Sequence, residues 1–236
     1  MAKENSVHLL GDIYGILNEE KTRIKLKIKK MGRNDNKFVY PVIELTDETE
    51  HLKKDICIGK RLLVHGYVKT YKSMVTYECG HCHSKNTIEI FKTCICAEFG
   101  LILSGYGDEY TNSAVLLGRV FREPVFKYIE NQPSPLSNTK YQLAVEINKN
   151  TAYFPWVTTF GAAACNNIDR LKVSSQVLVN GQIQTRHIQK ISYCENCLKE
   201  NLLANEITEI AGMKTEYLRN CLPSYDISCG NFKEIS

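Results

Sequence analysis

Ser113-Ala-Val-Leu-Leu-Gly118-Arg-Val-Phe-Arg-Glu-Pro124 is followed by Tyr141-Gln-Leu-Ala-Val-Glu-Ile147 and Phe154-Pro-Trp-Val-Thr-Thr-Phe-Gly161. After these come Gln176-Val-Leu-Val-Asn-Gly-Gln-Ile-Gln-Thr-Arg186 and Thr208-Glu-Ile210. Short apolar stretches bounded by polar and Gly- or Pro-containing turns read as strands. Tyr141, Leu143, Val145 and Ile147 alternate with their neighbours, the pattern of a half-buried strand. Val177-Leu-Val179 runs into Gly181, and a glycine inside a strand marks the bend or bulge that a small closed barrel needs. Asn166 to Leu171 predicts a short helix between the third and fourth strands, and Gln132 to Asn138 a loop between the first two.

The first half of the chain echoes this set. Val7-His-Leu-Leu-Gly11 matches Ala114 to Gly118, and Tyr40-Pro-Val-Ile43 matches Phe154 to Val157. Lys60 to Thr70 matches Ser175 to Thr185, with Gly66 opposite Gly181. Tyr77-Glu-Cys79-Gly-His-Cys82 matches Tyr193-Cys194-Glu-Asn-Cys197, and Asn86 to Ile90 is set against Asn205 to Ile210 with a one-residue gap. Arg23-Ile-Lys-Leu-Lys-Ile-Lys29 alternates strictly, and His51 to Ile56 predicts the first half's short helix. Five strands with a helix before the fourth is the OB-fold order. The expectation is an all-β chain with small helices, made of two tandem OB-fold barrels. The domains run 1–105 and 113–236, joined by the polar, Gly-containing stretch Gly105 to Asn112.

From Ser113 to Leu218 these pieces, in this order, resemble the bacterial single-stranded-DNA-binding protein family. That family opens on a strand ending in Gly-Arg or Gly-Asn and closes on a Val-x-Gly-x-Leu-x-Thr-Arg strand and a Thr-Glu-Ile strand. The resemblance implies binding of single-stranded nucleic acid without catalysis, and aromatic residues on the third strand that stack on bases. It also implies a mobile hairpin between strands four and five. The family usually ends in an acidic tip that recruits replication and repair proteins, whereas this chain ends Asp226 to Ser236 without one. A duplicated, tailless form suits a phage, plasmid or other mobile element, and the duplication can stand in for a family dimer. The competing reading is an adaptor for a primosome or for conjugation, whose main ligand is another protein. RNA is also open, because nothing here reports on a 2′-hydroxyl.

A single strand is held by a cationic groove and by aromatic faces. Between Lys21 and Lys37 stand eight basic residues and one acid, Asp35. Arg23, Lys25, Lys27 and Lys29 point away from Ile24, Leu26 and Ile28, and Lys30, Arg33 and Lys37 extend the patch. Four cations in a row repel one another, a cost that an anionic ligand would relieve; a solvated sheet face is the plain alternative. Phe154 and Trp156 share one face of the third strand, as base-stacking groups or as core. Tyr40 takes Phe154's place in the first repeat. Arg119, Arg122 and Tyr128 lie where the family contacts DNA, and Lys69, Lys72, Arg186 and Lys190 are weaker candidates.

Ten cysteines are many for a chain in a reducing compartment, where clustered thiols more often bind metal than form disulfides. Cys79/Cys82 and Cys194/Cys197 are two Cys-x-x-Cys pairs at matched places, and each is half a zinc site. Two arrangements of a metal site stand open, beside the reading that the pairs hold no metal. The pairs can meet across the domain interface in one four-cysteine site. Alternatively, Cys79 and Cys82 join Cys94 and Cys96 in a local ribbon, while the second pair reaches Cys221 and Cys229. In either arrangement the zinc would be structural, because four thiolates leave no open position for water. Cys57 and Cys165 read as buried small hydrophobes.

Composition bounds the rest. At 236 residues and 43% apolar, the chain has material for real cores, and a net charge of +4 alone says little about partners. No run of about 18 apolar residues predicts a membrane span. The N-terminus lacks a signal peptide's apolar core, so a cytoplasmic protein is expected. No Walker loop, His-Glu-x-x-His or nucleophile elbow is present.

Overall fold

The computed structural model describes residues 4–30, 37–104, 107, 109–129, 136–148 and 151–223. Arg33, the loop residues 132–135, part of the stretch 105–112, Cys229 and the segment 226–236 fall outside them. In chain order the elements are β1 (Asn5–Ile16), β2 (Arg23–Lys29), β3 (Phe38–Val39), β4 (Val42–Leu45) and a 3-10 helix (Asp47–Lys54). β5 (Arg61–Glu78), β6 (Lys85–Leu103), β7 (Thr111–Val120), β8 (Val125–Ile129) and β9 (Leu136–Asn148) follow. β10 (Thr151–Tyr153), β11 (Trp156–Phe160), helix α1 (Ala162–Arg170), β12 (Gln176–Tyr193) and β13 (Glu200–Arg219) complete the set.

Packing divides the chain into two compact units. One holds residues 1–9, 112–183 and 209–236, the other 10–111 and 184–208.

In the unit holding 10–111, β1 pairs antiparallel with β2, and β2 with β4. β4 runs parallel to β6, β6 pairs antiparallel with β5, and β5 lies beside β1. Within the barrel the ring closes, so the barrel parts of these five strands leave no open edge. In the other unit β7 pairs with β9, β9 with β11, β11 runs parallel to β13, and β12 lies between β13 and β7. Both rings have the OB-fold order, with a single parallel pair between the third and fifth strands. The strict alternation of Arg23 to Lys29 becomes a strand whose Ile24, Leu26 and Ile28 are fully buried. Tyr141, Leu143 and Val145 do the same on β9.

Gly66 and Gly181 are needed where expected. A Cβ on Gly66 would overlap the Cys96 carbonyl, and one on Gly181 the Ala211 carbonyl. The β5–β6 register also shifts between His65 and Gly66.

Three readings change. The helices begin earlier than their apolar residues suggest. The first starts at Asp47, after Thr46, whose backbone N–H donates to Thr49 Oγ1 at 2.9 Å. The strands after each helix are far longer than a barrel needs: 18 to 20 residues, or about 60 Å at strand rise. Their outer halves are mostly half-buried or exposed, with a few buried polar residues such as Asn86, Ser192 and Asn201, so no apolar run announced them. Finally, the barrel position of Ile210 belongs to Ile95 rather than Ile90: Ile43 pairs with Ile95 as Val157 pairs with Ile210. Gly181, Cys194, Asn201 and Ile210 each stand 115 positions after Gly66, Cys79, Asn86 and Ile95, so the repeat needs no gap here.

Candidate nucleic-acid face and metal centre

On the outward face of β2, Arg23, Lys25, Lys27 and Lys29 are half-buried. The sequence showed no acids on this strand, but two arrive from other strands. Glu44 on β4 lies 4.0 Å from Arg23 Nε and 2.6 Å from Lys69 Nζ. The Lys69 ammonium is held above its ordinary range, first by this hydrogen bond. Glu206 on β13 lies 2.8 Å from Lys25 Nζ. Arg23 also donates to the Tyr71 hydroxyl. Arg23, Lys25, Tyr71, Lys92, Asn205 and Glu206 line part of a groove of about 300 Å³. The stripe is thus partly neutralised at Arg23 and Lys25. Lys27 sits 4.2 Å from the centroid of Phe38, a cation over an aromatic face.

Beside these cations, Tyr14 and Tyr40 form a tilted pair with centroids 4.7 Å apart at 52°. Tyr14 is 56% exposed. The other unit carries the same device: Phe121 and Phe154 also lie 4.7 Å apart, at 55°. Tyr14 and Phe121 each stand three residues after the matched glycines Gly11 and Gly118, and Tyr40 and Phe154 each precede a matched proline. Leu26 N–H donates to the Pro41 carbonyl at 3.1 Å, and Leu143 N–H to the Pro155 carbonyl at 3.0 Å. The local backbone is therefore alike, and both pairs are held the same way. Sequence reading found Tyr40 and Phe154 but missed Tyr14 and Phe121, although their common offset from the glycines was available.

Trp156 is half-buried while Val157 and Thr159 are buried, so Trp156 is not in the core. Lys140 Nζ lies 4.8 Å from its ring centroid and 3.2 Å from the carboxylate of buried Glu209. Arg119 is exposed on β7, opposite Gln176 and Ala144. Arg122 is exposed, 6.0 Å from the Phe121 centroid. Tyr128 is exposed on β8, a strand the sequence did not suggest.

The two Cys-x-x-Cys pairs come together. Cys79 Sγ lies 3.7 Å from Cys197 Sγ, and Cys82 Sγ 3.6 Å from Cys194 Sγ. All four sulfurs lie within 4.8 Å of one another. A tetrahedral ion with metal–sulfur bonds of about 2.3 Å would place its sulfurs about 3.8 Å apart, so the spacing and the soft donor set fit zinc. All four residues belong to the unit of 10–111 and 184–208.

The two turns are built alike. Cys79 N–H donates to the Ser84 carbonyl and Cys194 N–H to the Lys199 carbonyl. His83 N–H returns to the Cys79 carbonyl and Leu198 N–H to the Cys194 carbonyl. His83 and Leu198 both take left-handed backbone, φ 57° and 58°. The Ser84 hydroxyl lies 3.1 Å from Cys82 Sγ and 3.2 Å from Cys194 Sγ. It holds both thiols below their usual range, Cys194 at about 5.

Cys94 and Cys96 are elsewhere, buried in the barrel part of β6, each with its sulfur 3.8 Å from a Glu44 oxygen. Hydrogen bonding with Cys96, then burial, pushes the Cys94 thiol up, so it stays protonated. The local ribbon of Cys79, Cys82, Cys94 and Cys96 is therefore not formed: strand pairing carries Cys94 and Cys96 into the barrel wall. Cys221 lies beside the Gln176 carbonyl. Cys57 is exposed and Cys165 half-buried, so neither is the core residue its apolar setting suggested.

Residues 111–208 match the model of the single-strand binding protein family. No curated protein matches the chain. Among solved structures, a deletion-mutant form of the single-stranded DNA binding protein from Thermus aquaticus is similar at a TM-score of 0.64 and 17% identity. It covers 98% of this chain and 100% of that one. The wild-type Thermus aquaticus protein is similar at a TM-score of 0.62 and 16% identity, over 95% of this chain and 97% of that one. At these identities the likeness shows the fold. The resemblance read from the sequence is thus present in the family model and in the fold. Among the described residues, no helix is long and apolar enough to cross a membrane.

Proposed function

We propose that this chain, matched over residues 111–208 by the single-strand binding protein family, binds single-stranded DNA without reading its sequence and without catalysis. The observation that carries the reading is the matched pair of tilted rings, Tyr14 with Tyr40 and Phe121 with Phe154. Bases stack on these faces, and Lys25, Lys27, Lys29, Arg119 and Arg122 meet phosphates. Arg23 is tied mainly to Tyr71 and Glu44 and orients the strand. Trp156, with Lys140 over its ring, and Tyr128 contribute less. Repeats 1–105 and 113–236 are the units of duplication, and the chain serves replication, recombination or transfer of DNA in the cytoplasm.

Titration of labelled oligo-dT, oligo-rU and duplex at two salt concentrations tests this. Oligo-dT should bind best, and its affinity should fall steeply between roughly 50 and 200 mM salt. Equal or tighter binding of duplex would contradict the reading, and tighter binding of oligo-rU would move the ligand to RNA.

The four thiols Cys79, Cys82, Cys194 and Cys197 hold one structural zinc in this reading. Purification with zinc under reducing conditions should give one ion per chain. Changing Cys194 and Cys197 to Ser should abolish it, because no second complete set stands near Cys79 and Cys82 among the described residues. A double variant that keeps a full zinc complement would exclude the shared site.

A further inference from the structure

Two buried asparagines sit beside the sulfurs and bond crosswise. Asn86, at the foot of the turn that carries Cys79 and Cys82, accepts from the Glu195 N–H at 2.9 Å through Oδ1. Its Nδ2 is 3.5 Å from Cys194 Sγ. Asn201, at the foot of the other turn, accepts from the Gly80 N–H at 3.0 Å, and its Nδ2 is 3.5 Å from Cys79 Sγ. Asn86 is 4% exposed and Asn201 9%. Each carboxamide thus reaches the other hairpin's turn with both of its ends, while its Nδ2 also donates within its own turn, Asn86 to the Ser84 carbonyl at 3.0 Å and Asn201 to the Lys199 carbonyl at 3.1 Å.

We infer that Asn86 and Asn201 are reciprocal positioning residues of the four-cysteine centre, each fixing the opposite Cys-x-x-Cys turn and donating to its first sulfur. The inference rests on the zinc reading above. Four thiolates around a divalent cation carry a net charge of −2, and N–H donors to sulfur offset part of it. Partners that orient metal ligands commonly matter about 10–100-fold in metal affinity. The acceptor end acts separately, since it satisfies a backbone N–H at the turn and so sets where the sulfur points. The crosswise arrangement also makes assembly cooperative, because the Gly80 and Glu195 N–H groups and the first sulfur of each turn gain their carboxamide partner only when both hairpins are in place.

Zinc affinity by chelator competition and amide exchange of Gly80 and Glu195 test this on the full chain. Asn86→Ala should weaken zinc binding about 10–100-fold and deprotect the Glu195 amide, in the other hairpin, while Gly80 stays protected. Asn201→Ala should do the reverse, deprotecting Gly80 alone. Asn86→Asp keeps the acceptor and loses the Nδ2 donor to the Cys194 sulfur and to the Ser84 carbonyl, so Glu195 should stay protected while zinc still weakens. A general loosening would deprotect both amides in every variant and would overturn the crosswise roles. Unchanged zinc affinity in both alanine variants, with one zinc in the parent, would overturn the positioning role and leave the zinc site standing. A parent without zinc would overturn the site and the metal part of the inference, while the exchange pattern would still decide the crosswise bonds.

Discussion

Arg23, Lys25, Lys27 and Lys29 on β2 occupy the places that Lys140, Gln142, Ala144 and Glu146 hold on β9. The backbone around them is alike: a Cβ on Gly11 would meet the Lys27 carbonyl, and one on Gly118 the Ala144 carbonyl. Both faces keep a tilted aromatic pair at the same centroid distance. Only one keeps the cations. On β9, Lys140 is engaged with Glu209 and Trp156, and Gln142 donates to the Phe154 carbonyl. Stacking needs two rings at a fixed place, so it constrains both copies. Phosphate attraction adds up over a surface and acts at a distance, so one copy can carry most of it.

That contrast is broken most directly at the rings. Tyr14→Ala and Phe121→Ala should each weaken oligo-dT binding by about 1–3 kcal/mol, the usual loss of one stacked base, with the salt slope unchanged. The double variant should show the sum, because the two pairs serve different bases. Isothermal titration of the two single variants and the double variant reads this. A loss at Tyr14 with none at Phe121 would mean that only one unit stacks, and the likeness of the two pairs would then be inherited geometry without shared use.

Much of this frame was legible in the sequence, for local reasons. Alternation over seven residues gave β2, and two glycines gave the bends of β5 and β12. A Cys-x-x-Cys at matched positions gave the sulfur cluster, although not the choice between its two arrangements. What escaped was set by pairing across distance. Glu44 on β4 and the distant Glu206 on β13 partly neutralise β2 at Arg23 and Lys25, so the acid-free stripe looked more exposed than it is. Asn86 was set against Asn205 because short apolar words were matched, whereas its true counterpart Asn201 sits in a polar arm. Tyr14 lies in the last residues of β1 and Phe121 just past the end of β7, where neither an alternation nor a motif draws attention to them.

The charge side of the comparison gives a moderate effect. Lys27→Ala should flatten the dependence of log affinity on log salt by about 0.7, the increment for one phosphate contact on a single strand. Gln142→Ala, on the neutral face, should leave that slope alone. Oligomers of several sequences should suffer alike from Lys27→Ala, since phosphate contacts carry no sequence information. A slope that falls equally for both variants would mean that the two faces share the phosphates, and the division of labour between the units would be lost.

The smallest effect is the most specific. Lys25 lies 2.8 Å from Glu206, and both side chains are 28% exposed. Such a pair contributes about 0.2–1 kcal/mol and is screened by salt. When a phosphate approaches, Glu206 competes with it for the Lys25 ammonium. Glu206→Gln keeps the shape of the side chain and removes that competition. Affinity for oligo-dT should therefore rise by about 0.5 kcal/mol at low salt, the salt slope should steepen by about 0.7, and the two proteins should converge as salt screens the added attraction. Lys25→Ala should erase the difference, because the carboxylate acts through that one ammonium. If Glu206→Gln tightens binding as much in the Lys25→Ala background, the acid acts on phosphate directly and Lys25 is not a contact. If it changes nothing at any salt, the Lys25–Glu206 pair survives in the complex, and the phosphate path runs along Lys27 and Lys29 alone.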